Sequence, residues 1–469
     1  MPGVRRTAVH AGVILLGWLA GACDKSPPVA SRTGPMAPAA FWVWHRRSPL
    51  TEREQETLQQ AGCGTLYWQV AECEWQGGRW QSVEIAGRVG EVPGGPVVPV
   101  FRLKPVFGFL GERGAAAAAL ATQIRDWRGP QGTLAEIQLD FDCPDRLLGE
   151  YAAFLTELGR QLAPTRISIT ALAAWPAHPQ FAKLARSVCA MAPMFYDLAA
   201  DPPEAVKAGR FKPLADPAVV PLIDRWKTCP VRWLAGLPNF ERVSVFEADG
   251  KLVGHLRGWT HDPLVFHRGL TGNPAGPGVT EYAVTESLVL ADTRIVPGQR
   301  MVWRTVDEGV LATLAAAAER AGASGIVYFA LPGPGLQAAF SPRHLQRGRG
   351  TVPQLELEVT ERGAVVLKNP GPTDLPARAG DPAVPGERGW QLELRGTRPG
   401  AFRAASPGGF VAAKVADGLP AEEATRLVLY FSQLPSGGSV TSGACIAEAG
   451  EVTWRVIGVT AHPVRVPSD

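Results

Sequence analysis

The stretch Glu136-Ile137-Gln138-Leu139-Asp140-Phe141-Asp142-Cys143-Pro144 decides how this chain is read. Side chains on a strand alternate between faces, so Gln138, Asp140 and Asp142 share one face while Leu139 and Phe141 occupy the other. A strand with one polar and one apolar face suits a parallel barrel. Its carboxylates then stand at the C-terminal mouth, where such barrels keep their chemistry.

Outward from that strand, short apolar segments alternate with helical ones from about residue 39 to 345. Residues 41–44, 65–70 and 97–103 read as strands one to three, and 167–172, 192–196, 232–237 and 325–331 as strands five to eight. Helices are predicted over 49–61 (capped by Ser48), 115–127, 146–162, 181–188 and 307–321. Eight such units predict an α/β fold, a (β/α)8 TIM-type barrel. Two stretches break the repeat. Residues 72–95, rich in Trp and Gly, read as a hairpin in place of the second helix. Residues 239–304 exceed what a barrel loop holds. There Asp249-Gly250 lies between two apolar runs and signals a hairpin, so the insertion is expected to form a β-lobe at the rim. From residue 351 to 469 strand-like runs alternate with Gly, Pro and Ser clusters, which predicts a C-terminal antiparallel β-sandwich.

Residues 136–144 resemble the strand-four signature of family 18 glycoside hydrolases, Gly-Ile-Asp-Leu-Asp-Trp-Glu-Tyr-Pro, with Asp142 standing where that family has its catalytic Glu. Met194-Phe195-Tyr196-Asp197 resembles the family's Met-x-Tyr-Asp strand six, and Ile167-Ser168-Ile169-Thr170-Ala171 its strand five. The resemblance implies Asp142 as general acid, Asp140 as the neighbour that tunes it, and Tyr196 with Asp197 as a clamp on an acetamido group. Elementary electrostatics agrees: two carboxylates on one face cannot both ionise freely, so one pKa is pushed upward, as a general acid needs. Three residues depart from the pattern. Gln138 replaces the family's first Asp, Asp142 is one methylene shorter than Glu, and Tyr328-Phe329-Ala330-Leu331 lacks the Trp that floors the family's sugar site. With Phe41-Trp42-Val43-Trp44-His45 and Ile169-Thr170-Ala171-Leu172, the chain is identified as a member of a bacterial lipoprotein family described as a domain of unknown function (family 3142). That resemblance implies the barrel and no particular reaction.

Fourteen Trp residues are many for this length, and flat aromatic faces stack on sugar rings. Trp44, Trp75 and Trp175 are the candidate stacking faces, while Trp42 and Trp68 read as core. His45, Gln138 and Met194 join the mouth as candidate substrate-binding residues. Glu241, after strand seven, is a candidate second carboxylate across the mouth; its blander reading is a solvated loop charge. No second His stands at ligand spacing from His45, and His255, His261 and His267 recur every six residues, so no metal site is expected. There is no Gly-rich phosphate loop and no Ser elbow, and no cofactor is expected.

A hydrophobic fraction of 46% with 19% charged residues describes a globular chain. A net charge of +3 with scattered basic residues gives no nucleic-acid footprint. At the N-terminus, Arg5 and Arg6 precede an apolar run over 11–20 that is too short to span a bilayer. Leu19-Ala20-Gly21-Ala22-Cys23 resembles a lipobox. Residues 1–23 are therefore expected to be a signal peptide, Cys23 a lipidation site and 24–38 a Pro-rich tether; an ordinary cleaved signal with an incidental Cys is the alternative. The expected location is the cell envelope, lipid-anchored in the periplasm or on the outer membrane, with Asp24 favouring inner-membrane retention. Six further cysteines allow 15 disulfide pairings, Cys63–Cys73 and Cys189–Cys229 being closest in sequence. The expectation for function is an exported barrel acting on a polysaccharide or oligosaccharide, and the alternative is a catalytically inert glycan-binding or envelope-assembly lipoprotein.

Overall fold

A computed structural model of the chain describes residues 38–86, 96–128, 134–333, 335–379, 388–403, 406–415, 419–420, 423–447 and 452–459. The expected signal segment, Cys23 and all but the last residue of the tether lie outside the described residues. The strands of the first two-thirds are β1 (Ala40–Val43), β2 (Leu66–Gln76), β3 (Arg79–Glu84), β4 (Val97–Leu103), β5 (Glu136–Asp140), β6 (Arg166–Leu172), β7 (Ala190–Met194), β8 (Arg232–Trp233) and β9 (Ala235–Pro238). They continue as β10 (Arg242–Phe246), β11 (Leu252–His255), β12 (Leu270–Gly276), β13 (Val279–Val284), β14 (Leu288–Leu290), β15 (Thr293–Ile295), β16 (Arg300–Arg304) and β17 (Ile326–Phe329).

Strands β1, β2, β4, β5, β6, β7, β9 and β17 pair in parallel in that order, and β17 pairs back onto β1. This closes the eight-stranded barrel that the alternation of strands and helices predicts. Its two sets of side chains make two cores. Phe41, Phe101, Ile137, Leu139, Ile167 and Ile169 face outward into a layer shared with the helices Arg113–Arg128, Leu148–Leu162 and Glu308–Arg320. Trp42, Tyr67, Val98, Val100, Ala192 and Val327 fill the lumen. The indole N–H of Trp42 spans that lumen to donate to Gln138 Oε1 on β5 at 2.7 Å, so both buried polar groups are satisfied. Gly236 makes room for this ring. A Cβ there would lie 2.7 Å from the Pro193 carbonyl oxygen and 2.9 Å from Trp42 Cη2.

Several local expectations shift by a few residues for identifiable reasons. The first helix runs Glu52–Ala61 and is capped by Thr51, not Ser48, because Thr51 and Glu54 close a reciprocal capping box. Its end is set by Gly62 at φ 69°, a left-handed position that suits Gly. β7 ends at Met194, so Tyr196 and Asp197 stand on the loop beyond the strand. In place of a second helix, β2 turns through Gly77-Gly78 into β3 as an antiparallel hairpin. The insertion folds as a five-stranded antiparallel sheet in the order β11-β10-β16-β13-β12, over its own core of Val243, Val245, Leu264, Tyr282, Met301 and Trp303.

After residue 355 two antiparallel sheets follow. One holds Glu356–Val359, Ala364–Lys368 and Ser439–Ala444; the other holds Ala412–Val415, Arg426–Phe431, Trp390–Gly396 and Val452–Val456. Leu357, Val365 and Leu367 of the first sheet share a core with Leu392, Leu394, Leu427 and Leu429 of the second, the arrangement of a β-sandwich. This region packs on the barrel side through Asp374, whose carboxylate accepts from the Ser341 N–H and hydroxyl at 2.6 and 2.7 Å. None of the possible pairings is formed: Cys63, Cys73, Cys143, Cys189, Cys229 and Cys445 are all free thiols. Burial pushes the Cys63 and Cys143 thiols up to about 12 and makes them poor nucleophiles.

Candidate active site

The C-terminal ends of the barrel strands bring polar groups from β1, β2, β4, β5 and β6 to one mouth. Asp140, the last residue of β5, is buried with a side chain only 4% exposed. An unpaired carboxylate at that depth would be costly. It accepts from Arg102 Nη1 of β4 at 2.5 Å on one oxygen and from the Thr170 hydroxyl of β6 at 2.7 Å on the other. Asp142, two residues on, is 46% exposed, and its carboxylate lies 3.6 Å from Arg102 Nη2. One guanidinium therefore serves both carboxylates, tightly at Asp140 and loosely at Asp142. Partial desolvation, then the charge of Asp140, raises the pKa of Asp142 above the ordinary aspartate value, with Arg102 opposing. Such a carboxyl is suited to hold a proton for donation.

Beside this cluster lies an aromatic surface. Tyr196 stacks on Phe329 with centroids 5.8 Å apart and an interplanar angle of 16°. Phe240 meets both edge-on, and Trp44 stands edge-on to Phe329 at 5.6 Å. All four rings are partly exposed. Burial, followed by the charges of Asp140, Asp142 and Asp197, pushes the Tyr196 phenol well above its usual range. Tyr196 is thus a proton-bearing donor across the working pH range. His45 is held in a left-handed conformation at φ 52°, and its backbone N–H donates to Gln69 Oε1 at 3.0 Å. Desolvation lowers the His45 pKa; Glu72 opposes this, while Arg257 of the lobe and Arg102 add to it, so the ring is neutral at pH 7.

The remaining expected site residues go elsewhere. Trp75 and Trp175 are both buried core residues and offer no face to a sugar. Trp75 packs against Trp80 at 5.2 Å, and Trp175 lies in the outer layer of the barrel. Gln138 is committed to Trp42 in the lumen, and Met194 packs at the upper edge of the lumen core. Glu241 is neither a solvated loop charge nor a free carboxylate, because it is buried in a short hydrogen bond with His261 of the lobe. Asp197, at φ 49°, is gripped by Arg242 through both oxygens, at 2.5 and 2.8 Å. Fully buried Arg304 pairs with Asp201 and donates to the Lys212 carbonyl at 2.9 Å and the Ser244 hydroxyl at 3.1 Å. These ion pairs fasten the inserted lobe to the loop after β7. Among the described residues no group of three or more His, Cys, Asp and Glu side chains is arranged to hold a metal ion. A shallow hollow of about 670 Å³, lined by Glu112, Arg113, Thr156 and Glu157 among others, contains none of the mouth residues.

Four contributors escaped the sequence reading: Arg102, Thr170, Phe240 and Phe329. Arg102 had a usable signal, since a lone cation near the end of an apolar barrel strand, in Val-Phe-Arg-Leu, must find an anion. Phe329 and Phe240 had none, because a Phe next to a strand end reads equally well as core.

Fold and mouth together define a (β/α)8 barrel with a paired-carboxylate, aromatic-lined site. Residues 93–208 match the family model described as "Domain of unknown function (DUF3142)", which bears out the resemblance to that domain over this span. No curated protein matches the chain. Among solved structures, a cell-surface-expressed chitinase from a Paenibacillus strain is similar at 12% identity, with a TM-score of 0.48 over 92% of this chain and 56% of its own. A chitinase from Bacillus thuringiensis matches at 11% identity and a TM-score of 0.40, over 92% of this chain and 100% of its own. A family 18 chitinase from Chromobacterium violaceum matches at 12% identity and a TM-score of 0.42, over 92% and 91%.

Proposed function

We propose that the barrel acts on a polysaccharide or oligosaccharide as a glycoside hydrolase, with Asp142 as general acid. The observation that carries this reading is the pairing at the mouth. A half-exposed carboxyl with a raised pKa stands beside a buried, ion-paired carboxylate and next to an aromatic surface. Asp142 would protonate the departing glycosidic oxygen. Asp140, fixed by Arg102 and Thr170, would supply the negative charge that keeps that proton in place and steadies positive charge developing on the sugar. Tyr196 would donate a hydrogen bond, and Trp44 with Phe329 would stack on rings. Asp197 would join only when released from Arg242.

The competing reading, a glycan binder without turnover, is favoured by the same guanidinium, because Arg102 within 3.6 Å of Asp142 stabilises the ionised form. Asp142→Asn separates the two. It keeps the shape but cannot donate the proton, so turnover across a polysaccharide panel should fall by about 10²-fold or more with affinity retained. Wild type and variant behaving alike would leave the binder reading standing. We place the protein in the cell envelope, anchored through a lipid on Cys23. Cys23→Ala should release it from membranes, and a mature chain cleaved elsewhere without acyl mass would refute the anchor.

A further inference from the structure

The second sheet of the sandwich carries a charged face that the barrel chemistry does not use. On it, Glu393 lies directly opposite Arg455 on one neighbouring strand and Val428 on the other, and Val428 lies opposite Lys414. Two residues along, Arg395 lies opposite Arg426 and Thr453. Directly opposed residues share a face of the sheet, as do residues two apart on one strand. The registers therefore gather Arg395, Arg426 and Arg455 around one carboxylate, with Lys414 two strands away on the same face.

That carboxylate is 0% exposed. Its Oε1 accepts from Arg395 Nε at 2.7 Å and Arg455 Nε at 3.1 Å, and its Oε2 from Arg426 Nε at 2.7 Å, while Arg455 Nη2 and Arg426 Nη2 lie within ion-pair distance at 3.0 and 2.6 Å. Burial would raise the Glu393 pKa, but the bonds from Arg395 and Arg426 outweigh it and hold the group ionised below the ordinary Glu value. Among the described residues that these registers place on the face, four cations stand against one anion. Like charges directly opposite one another destabilise a sheet, and Arg395 faces Arg426. A carboxylate offers about four lone-pair sites, and each of three guanidiniums already donates to this one. The outer edges of the forks are left to solvent, with Arg395 58% and Arg455 61% exposed. Between them a hollow of about 190 Å³ opens, lined by Glu393, Arg395, Thr453, Trp454 and Arg455.

We propose that this face binds a tetrahedral oxyanion, a phosphate or sulfate group, in the hollow between Arg395 and Arg455. Arg395 and Arg455, on different strands, both line the hollow, and a tetrahedral anion can turn a pair of oxygens to each, whereas a planar carboxylate has one pair to offer. Glu393 fixes the inner edge of each fork, so the outer edges meet the ligand without reordering. Arg426 and Lys414 add the surrounding positive field.

The test is calorimetric titration of the full chain with sodium sulfate and sodium phosphate, against sodium acetate and sodium chloride at matched ionic strength. Saturable binding of the tetrahedral anions, with no saturable signal from chloride and weaker binding of acetate, is expected. Arg395→Gln and Arg455→Gln should each weaken binding about tenfold or more. Arg362→Gln removes the same charge outside this face and should leave binding unchanged. Should Arg395→Gln fail to fold, Arg395→Lys keeps a cation on Glu393 but loses the fork, and must also bind more weakly. The proposal is overturned if chloride or acetate matches sulfate, if folded Arg395 variants bind like wild type, or if Arg362→Gln loses as much as Arg395→Gln.

Discussion

Arg102→Gln removes the cation that allows Asp140 to be buried. Losing one partner of a buried ion pair costs about 3–5 kcal/mol, because the other charge stays behind uncompensated. Here the guanidinium is 35% exposed and the mouth is open, so water takes over part of its role. The Thr170 hydroxyl still serves one oxygen. Together these bring the expected cost to about 2 kcal/mol. For a compact unit spanning residues 36–469, the unfolding entropy translates that into a fall in Tm of only about 2 °C, so chemical denaturation is the better assay. A double-mutant cycle with Asp140→Asn isolates the pair. Once Asp140 is neutral, Arg102→Gln should cost far less, giving a coupling above about 1 kcal/mol. A coupling below about 0.5 kcal/mol would refute the claim that Arg102 holds Asp140, and with it the account of how a carboxyl group is buried at that depth.

Four further variants test the same geometry. The Asp142 pKa is raised in the folded protein, so this group favours folding below the ordinary aspartate value and loses that contribution as pH rises through the raised one. Asp142→Asn should therefore be more stable than wild type at pH 7, by no more than about 1 kcal/mol for so exposed a group, with the difference closing below about pH 4 in denaturant titrations. Gly236→Ala forces a methyl group to 2.7 Å from a carbonyl oxygen and against the Trp42 ring, and should cost about 1–3 kcal/mol by the same assay. Trp44→Ala should lower polysaccharide affinity with little loss of stability. Trp75→Ala should do the reverse, destabilising by about 3–5 kcal/mol with no direct effect on binding.

The barrel was legible because burial leaves a periodic trace. Residues 136–142 alternate between a face that must be dry and one that must reach the lumen, and seven other segments repeat the theme. The place of Asp140 and Asp142 followed from that alternation alone. What they bond to did not, since Arg102 and Thr170 arrive from neighbouring strands and strand order sets contacts that no local pattern records. Tryptophan posed a different difficulty. A ring that stacks on sugar and a ring that fills a core have the same chemistry, and only the closed barrel separates Trp44 from Trp75 and Trp175. Glu241 looked solvated because its partner, His261, lies 20 residues on within an insertion whose course the sequence only sketched. The cysteines left the pairing open, because compartment reasoning says where disulfides are permitted and not which thiols meet.

The grip of Arg242 on Asp197 makes the lobe a custodian of the mouth. Any guest that needs this carboxylate must first evict a guanidinium holding both its oxygens. The pair is partly exposed, so dissolved ions loosen it. Recruitment of Asp197 by an uncharged guest would then tighten as salinity rises, opposite to the usual loss of charge-driven association.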